Sequence, residues 1–254
     1  MTGCMFNLNE IINRRLDIDS LTSIIRSYPN DPEGYNVRGV IYGRYGDFEK
    51  ALQDFQTALN LNPMYYKAYV NRASILCKIG DFASALRDYD SALKINPNYG
   101  MAYIGKGDLY RKKGYSNPQK ALENFNNAIQ LGNPDAGAFH GRALVYQALG
   151  DHEKAIVDFS QAMSLLSLSP DHYNGRGLSY LAIKNYDSAM EDFKIAASLD
   201  SKIPDSWFNQ GLAYEIQQDY CNAIECYKKS LAIDSGYSKA RNGIARVRSI
   251  LHSS

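Results

Sequence analysis

DPEGYNVRGVIYGRYGDFEKALQDFQTALNLNP, residues 31–63, holds in one pass the pattern on which the rest of the chain is built. Its small residues Gly39, Ala51 and Ala58 and its large ones Tyr35, Tyr42 and Phe55 return 34 positions later as Ala73, Ala85, Ala92, Tyr69, Leu76 and Tyr89. A fixed period in the range of roughly 20–50 residues is the mark of stacked units that share a continuous core. On either side of Gly46-Asp47 the apolar residues recur at three- and four-residue spacing, so each unit reads as helix, turn, helix. Glycine suits a helix C-terminus that needs positive φ, and the aspartate after it can cap the next helix.

Six units follow in phase, at 32–65, 66–99, 100–135, 136–169, 170–203 and 204–237. Their internal breaks fall at Gly46-Asp47, Gly80-Asp81, Gly114, Gly150-Asp151, Lys184-Asn185 and Gln218-Asp219. Pro63, Pro97, Pro134, Pro170 and Pro204 stand between units, where proline stops one helix and opens the next. The third unit is longer, and its excess sits in the turn Gly114-Tyr115-Ser116-Asn117-Pro118. Residues 1–31 are a degenerate copy: Phe6, Leu8, Ile11, Ile12 and Leu16 supply one helix face, and Asp19-Ser20 would cap a second helix carrying Leu21, Ile24 and Ile25. Residues 238–254 read as a capping helix with Arg241 and Arg248 where the units have aromatics.

A net charge of +1 gives no global reason to expect nucleic acid, and no apolar run approaches the ~18–20 residues that a membrane helix needs. Cys4, Cys77, Cys221 and Cys226 lack paired spacing for metal or redox work. His140, His152, His172 and His252 are scattered over different units, with no i, i+4 pair. The carboxylates are used by turns and caps, which leaves no catalytic constellation, no metal site and no cofactor site.

The in-phase pattern resembles the tetratricopeptide repeat (TPR): large at position 4 (Tyr35, Tyr69, Tyr103, Phe139, Tyr173, Trp207), small at 8 (Gly39, Ala73, Gly107, Ala143, Gly177, Gly211), then Ala at 20 and 27, an aromatic at 24 and Pro near 32. The resemblance covers residues 32–237 and implies an all-α fold, a right-handed α-solenoid of helix-turn-helix repeats that binds a protein or peptide segment in a concave groove. The aromatics then belong to the core, each burying about 150–250 Å².

One departure is periodic in its own right. Position 7 carries Arg38, Arg72, Lys106, Arg142, Arg176 and Gln210, while position 23 carries Asp54, Asp88, Asn124, Asp158, Asp192 and Cys226. Wherever one is Arg the other is Asp, so Arg38–Asp54, Arg72–Asp88, Arg142–Asp158 and Arg176–Asp192 are expected as structural ion pairs, within a unit or between neighbours.

The resemblance places groove residues at positions 2, 5, 6, 9, 12 and 13. In the first three units these include Asn36, Arg44, Lys67, Asn71, Lys78, Arg111 and Lys112; in the last three, His140, Leu144, Gln147, Asn174, Leu178, Phe208, Asn209 and Leu212. One end is basic and the other apolar with an acidic edge, which suits an extended partner segment with an acidic and an apolar part. The Lys and Asn set by which chaperone-binding TPR domains hold a C-terminal carboxylate is missing: Asn36 with Val40, Val70 with Ser74 and Ile104 with Asp108 occupy its places. Met1-Thr2-Gly3-Cys4 resembles the end of a bacterial lipobox, and the phrasing around Tyr173 resembles TPR lipoproteins of bacterial envelopes. With a signal peptide upstream of Met1, Cys4 would carry a lipid, giving the chain its one membrane attachment and a place facing the periplasm; without it the chain would be cytoplasmic. A scaffold or adaptor, a homo-oligomeric assembly protein and, more remotely, a hydrolase are the function classes left.

Overall fold

The computed structural model describes residues 8–112, 114, 116–132 and 134–253; Cys4 lies outside them. Among the described residues there are fourteen helices and no strand. They form two compact units that part between Leu131 and Gly132. The first holds α1 (Leu8–Ser27), α2 (Pro32–Arg44), α3 (Phe48–Leu61), α4 (Tyr66–Ile79), α5 (Phe82–Ile95), α6 (Gly100–Leu109) and α7 (Pro118–Gln130). The second holds α8 (Ala136–Leu149), α9 (His152–Leu165), α10 (Pro170–Ala182), α11 (Tyr186–Leu199), α12 (Pro204–Ile216), α13 (Tyr220–Ile233) and α14 (Ser238–Ser253). The architecture is an all-α solenoid of helix-turn-helix repeats; within each unit every helix packs on its sequence neighbours and first helices pack on the next first helix.

Two expectations about helices are corrected. Residues 8–27 form one continuous helix rather than two, because nothing between Leu8 and Ser27 breaks it and Thr22 and Ser23 bond back to the carbonyls of Ile18 and Asp19. The first helix of the third repeat stops at Leu109, so Arg111 and Lys112 lie in the widened turn beyond it.

The turns follow from their residues. Asp47, Asp81, Asn117, Asp151, Asn185 and Asp219 each cap a second helix by accepting a backbone N–H three residues on. Before them the chain takes a left-handed residue: Gly46, Gly80, Gly114 and Gly150 in four turns, but Lys184 and Gln218, both at φ 64°, in the last two. A side chain there costs about 1–2 kcal/mol. Replacing Lys184 or Gln218 by Gly is therefore expected to raise unfolding stability by ~1 kcal/mol each, read as a higher urea midpoint.

The core alternates small and large. Ala51, Ala85, Ala121, Ala155, Ala189 and Ala223 have no exposed surface, and Phe55, Phe125, Phe159, Phe193 and Tyr227 fill the spaces they leave. Close approach is obligatory at Gly177, where an added Cβ would lie 2.5 Å from the Phe193 ring. Tyr110 is buried, and Tyr42, Tyr146, Tyr180 and Tyr214 are partly buried against the same clusters.

Candidate functional site

The Arg and Asp side chains meet within one repeat. Nε and Nη2 of Arg38, Arg72, Arg142 and Arg176 each donate to the two oxygens of Asp54, Asp88, Asp158 and Asp192, at 2.7–2.9 Å. The remaining Nη1 of Arg38, Arg72 and Arg176 reaches back to the preceding repeat or to α1, donating to Thr22, Gln56 and Ser160. Each of these three guanidinium groups thus ties its own two helices to the helix before them. The guanidinium groups lie near aromatic rings: Arg38 sits over Tyr35 and Tyr42, and Arg142 over Phe139 and Tyr146. The hydrogen bond to Asp54 raises the Arg38 pKa against the desolvation that opposes it, and Asp88, Asp158 and Asp192 do the same for Arg72, Arg142 and Arg176.

The third repeat solves the same problem in reverse. Lys106 donates at 2.7 Å to Asp90, sixteen residues back, and Asn124, standing where the others have Asp, turns its amide to the Lys120 carbonyl. In the sixth repeat Gln210 donates to the Phe193 carbonyl. The work of the Arg, Lys and Gln side chains is to brace helices against each other, while Asn124 bonds within its own helix.

Several residues expected in the groove are engaged by neighbours. Asn36 donates to the Tyr65 hydroxyl and accepts from Asn71; Asn174 donates to Ser206 and accepts from Asn209. Asn36, Asn174 and Asn209 are buried, so their amides link one first helix to the next, while Asn71 stays half-exposed. Phe208 packs on Tyr227 and Tyr237, at ring distances of 5.5 and 5.8 Å, because α14 closes the core around it. Leu144 and Leu212 lean on the clusters around Phe159 and Phe193. Leu178 is 37% exposed and remains available. Gln147 spans from α8 to α10 by donating to the Gly175 carbonyl and the Ser179 hydroxyl.

His140 meets His172 across those helices, Nδ1 to Nδ1 at 2.8 Å, a pair that must share one proton. Burial pulls the His172 pKa below its ordinary 6.5, with Asp171 opposing. Among the described residues no group of three or more His, Cys, Asp or Glu could hold a metal ion, and no helix is long and apolar enough to cross a membrane.

Open space lies on the first-helix face of the first unit. A cleft of about 360 Å³ between α4 and α6 is walled by Val70, Cys77, Tyr89, Met101, Ile104 and Leu109 and edged by Lys78 and Lys112. Met101 was missed among the groove candidates, although it stands at position 2 of its repeat, which is the signal that could have found it. A smaller cleft of about 120 Å³ between α2 and α4 is walled by Val40, Phe55 and Ile75 and edged by Arg44 and Lys78. Arg44, Lys67, Lys78 and Lys112 are exposed. Asp108 also faces the larger cleft; burial raises its carboxyl pKa against the pull of Arg111, with which it pairs at 2.7 Å. Burial likewise pushes up the pKa of the Cys77 thiol.

Comparison with known proteins agrees with this architecture. Tetratricopeptide repeat profiles match residues 32–65, 66–99, 140–202 and 204–237. An uncharacterised protein of Methanocaldococcus jannaschii is 48% identical over 44 residues, 17% of this chain and 51% of its own length, so the match spans about half of that relative. Among solved structures, the APC/C hetero-tetramer Cut9–Hcn1 superposes with a TM-score of 0.81 at 19% identity, over 91% of this chain and 46% of that one. YrrB, described as a TPR protein with an unusual peptide-binding site, superposes with a TM-score of 0.57 at 23% identity, over 74% of this chain and 96% of its own. The repeat pattern, the helix pairs and the matched profiles together place the chain in the tetratricopeptide repeat family.

Proposed function

We propose that this chain is a non-catalytic scaffold that holds a segment of a partner protein against the first helices of its repeats. The supporting observation is the pair of clefts in the first unit, edged by Arg44, Lys78 and Lys112. Stacking the repeats requires none of those cations: all three are exposed and lie outside the Arg and Asp ladder. A peptide is also the kind of ligand named for YrrB. The partly exposed Leu178 on the first-helix face of the second unit adds a separate apolar contact.

Affinity capture with purified variants tests the proposal. Lys78→Glu and Leu178→Asp are expected to lose the partner that the unaltered chain retains, while Val157→Asp, on the outer face of α9 where Val157 is 58% exposed, keeps it. Loss with Val157→Asp and retention with both first-helix variants would move binding to the outer helices.

A further inference from the structure

The two clefts of the first unit repeat one another. Arg44, Lys78 and Lys112 stand 34 residues apart in sequence, Arg44 and Lys78 in the last turns of α2 and α4 and Lys112 in the turn that follows α6, and Lys78 edges both clefts. Moving along this face, a ligand meets a cation, an apolar cleft, a cation, a second apolar cleft and a third cation. Phe48 lies 5.8 Å from the Lys78 ammonium and helps to hold it at the shared edge. Asn71 contributes to both clefts; its Nδ2 donates to Asn36, which leaves its Oδ1 for a ligand backbone N–H.

Gly105 opens the larger cleft at its floor. An added Cβ there would stand 2.4 Å from the Tyr89 ring, so the position admits no side chain that would fill the space. The opposing charge on this face, Asp108, is paired with Arg111, and the three repeating cations remain in excess.

The spacing sets the register of the ligand. Packed helices lie about 8–10 Å apart, so Arg44 and Lys78, in the last turns of α2 and α4, are separated by about that distance, and Lys112, in the turn after α6, stands on the far edge of the larger cleft. A chain in the polyproline II conformation advances about 9 Å in three residues and returns its side chain to the same side. We propose that the first unit recognises an extended, polyproline-II-like protein segment with Asp or Glu at every third position and apolar side chains between, the larger one entering the α4–α6 cleft and a smaller one the α2–α4 cleft. The inference rests on the scaffold reading above and deepens it to a ligand class.

The test uses the full chain and a fluorescein-labelled seven-residue peptide with Glu at every third place, Leu in one gap and Ala in the other, followed by fluorescence anisotropy at low and physiological salt. Saturable binding is expected, weakening as salt rises, because exposed charges are screened. Lys78→Glu is expected to weaken it at least tenfold, since that side chain serves both clefts, and Val157→Asp, on the outer face of α9, to leave it unchanged. The peptide with Gln in place of Glu should bind at least tenfold more weakly, as should one with its three Glu residues adjacent. Absence of saturable binding, equal binding of the Gln peptide, equal binding of the peptide with adjacent Glu, or binding indifferent to Lys78→Glu each overturns the proposal. The scaffold reading is decided apart from this, by whether Lys78→Glu and Leu178→Asp lose the captured partner when Val157→Asp does not.

Discussion

Arg176→Ala is expected to destabilise the chain by about 3–5 kcal/mol, because it strands a buried carboxylate. Asp192 is 2% exposed, and both of its oxygens accept from Arg176. The cost should exceed that of losing an exposed ion pair, which is about 0–1 kcal/mol. Removing both partners with Asp192→Ala should recover part of the loss, since the double variant buries no unpaired charge. Strictly additive losses in urea unfolding would show that the two side chains do not depend on each other.

The same variant carries a signature in pH. Even with Arg176 present, burial holds the Asp192 pKa above its ordinary 3.8, with the Arg176 hydrogen bond and charge opposing. Without Arg176 that opposition is gone and the folded-state pKa rises further. A carboxyl with a raised folded pKa binds more protons in the folded than in the unfolded state, so its stabilisation is present at low pH and fades as pH rises from about 3.8 through the folded value. The deficit of Arg176→Ala should therefore be smaller in mildly acidic buffer than at neutral pH. A deficit independent of pH would mean that Asp192 finds another partner.

The second large effect is steric. Phe193 is fully buried and faces Gly177, where an added Cβ would lie 2.5 Å from its ring. Phe193→Ala is expected to cost about 3–5 kcal/mol through the cavity it leaves. Gly177→Leu should cost about 3 kcal/mol, since its Cβ alone would overlap the ring of a fully buried side chain. Combining them should be milder than the sum, because the leucine occupies volume that the phenyl ring vacated. Thermal unfolding of the three variants decides it; a double variant as unstable as the two single losses added together would place the clash elsewhere.

Much of this was legible in the sequence. Gly46, Gly80, Gly114 and Gly150 and the capping residues after them stand where the structure turns. The matched variation of Arg and Asp pointed to the pairs that the structure brings within 2.7–2.9 Å. A repeat pattern gives each side chain a place on its helix, yet it does not say which neighbour that side chain reaches. Lys106 and Asn124 vary together as a pair, but Lys106 bonds Asp90 in the preceding repeat. Asn71 and Asn209, whose amides suit a peptide backbone, donate to Asn36 and Asn174 in neighbouring repeats. Phe208 occupied a groove position in the pattern, but its ring is taken up by Tyr227 and Tyr237. The clefts themselves were illegible, because their depth depends on Tyr89 of α5 and Phe55 of α3 reaching across from the second helices.

Hydroxyl-radical footprinting of the chain with and without its captured partner tests most directly whether a segment lies on the first-helix face. Met101 is 47% exposed and lines the larger cleft, while Met64 is 64% exposed at a junction between repeats. Oxidation of Met101 is expected to fall several-fold in the complex while that of Met64 stays unchanged; protection of Met64 or Val157 with Met101 still fully reactive would contradict the proposed binding face.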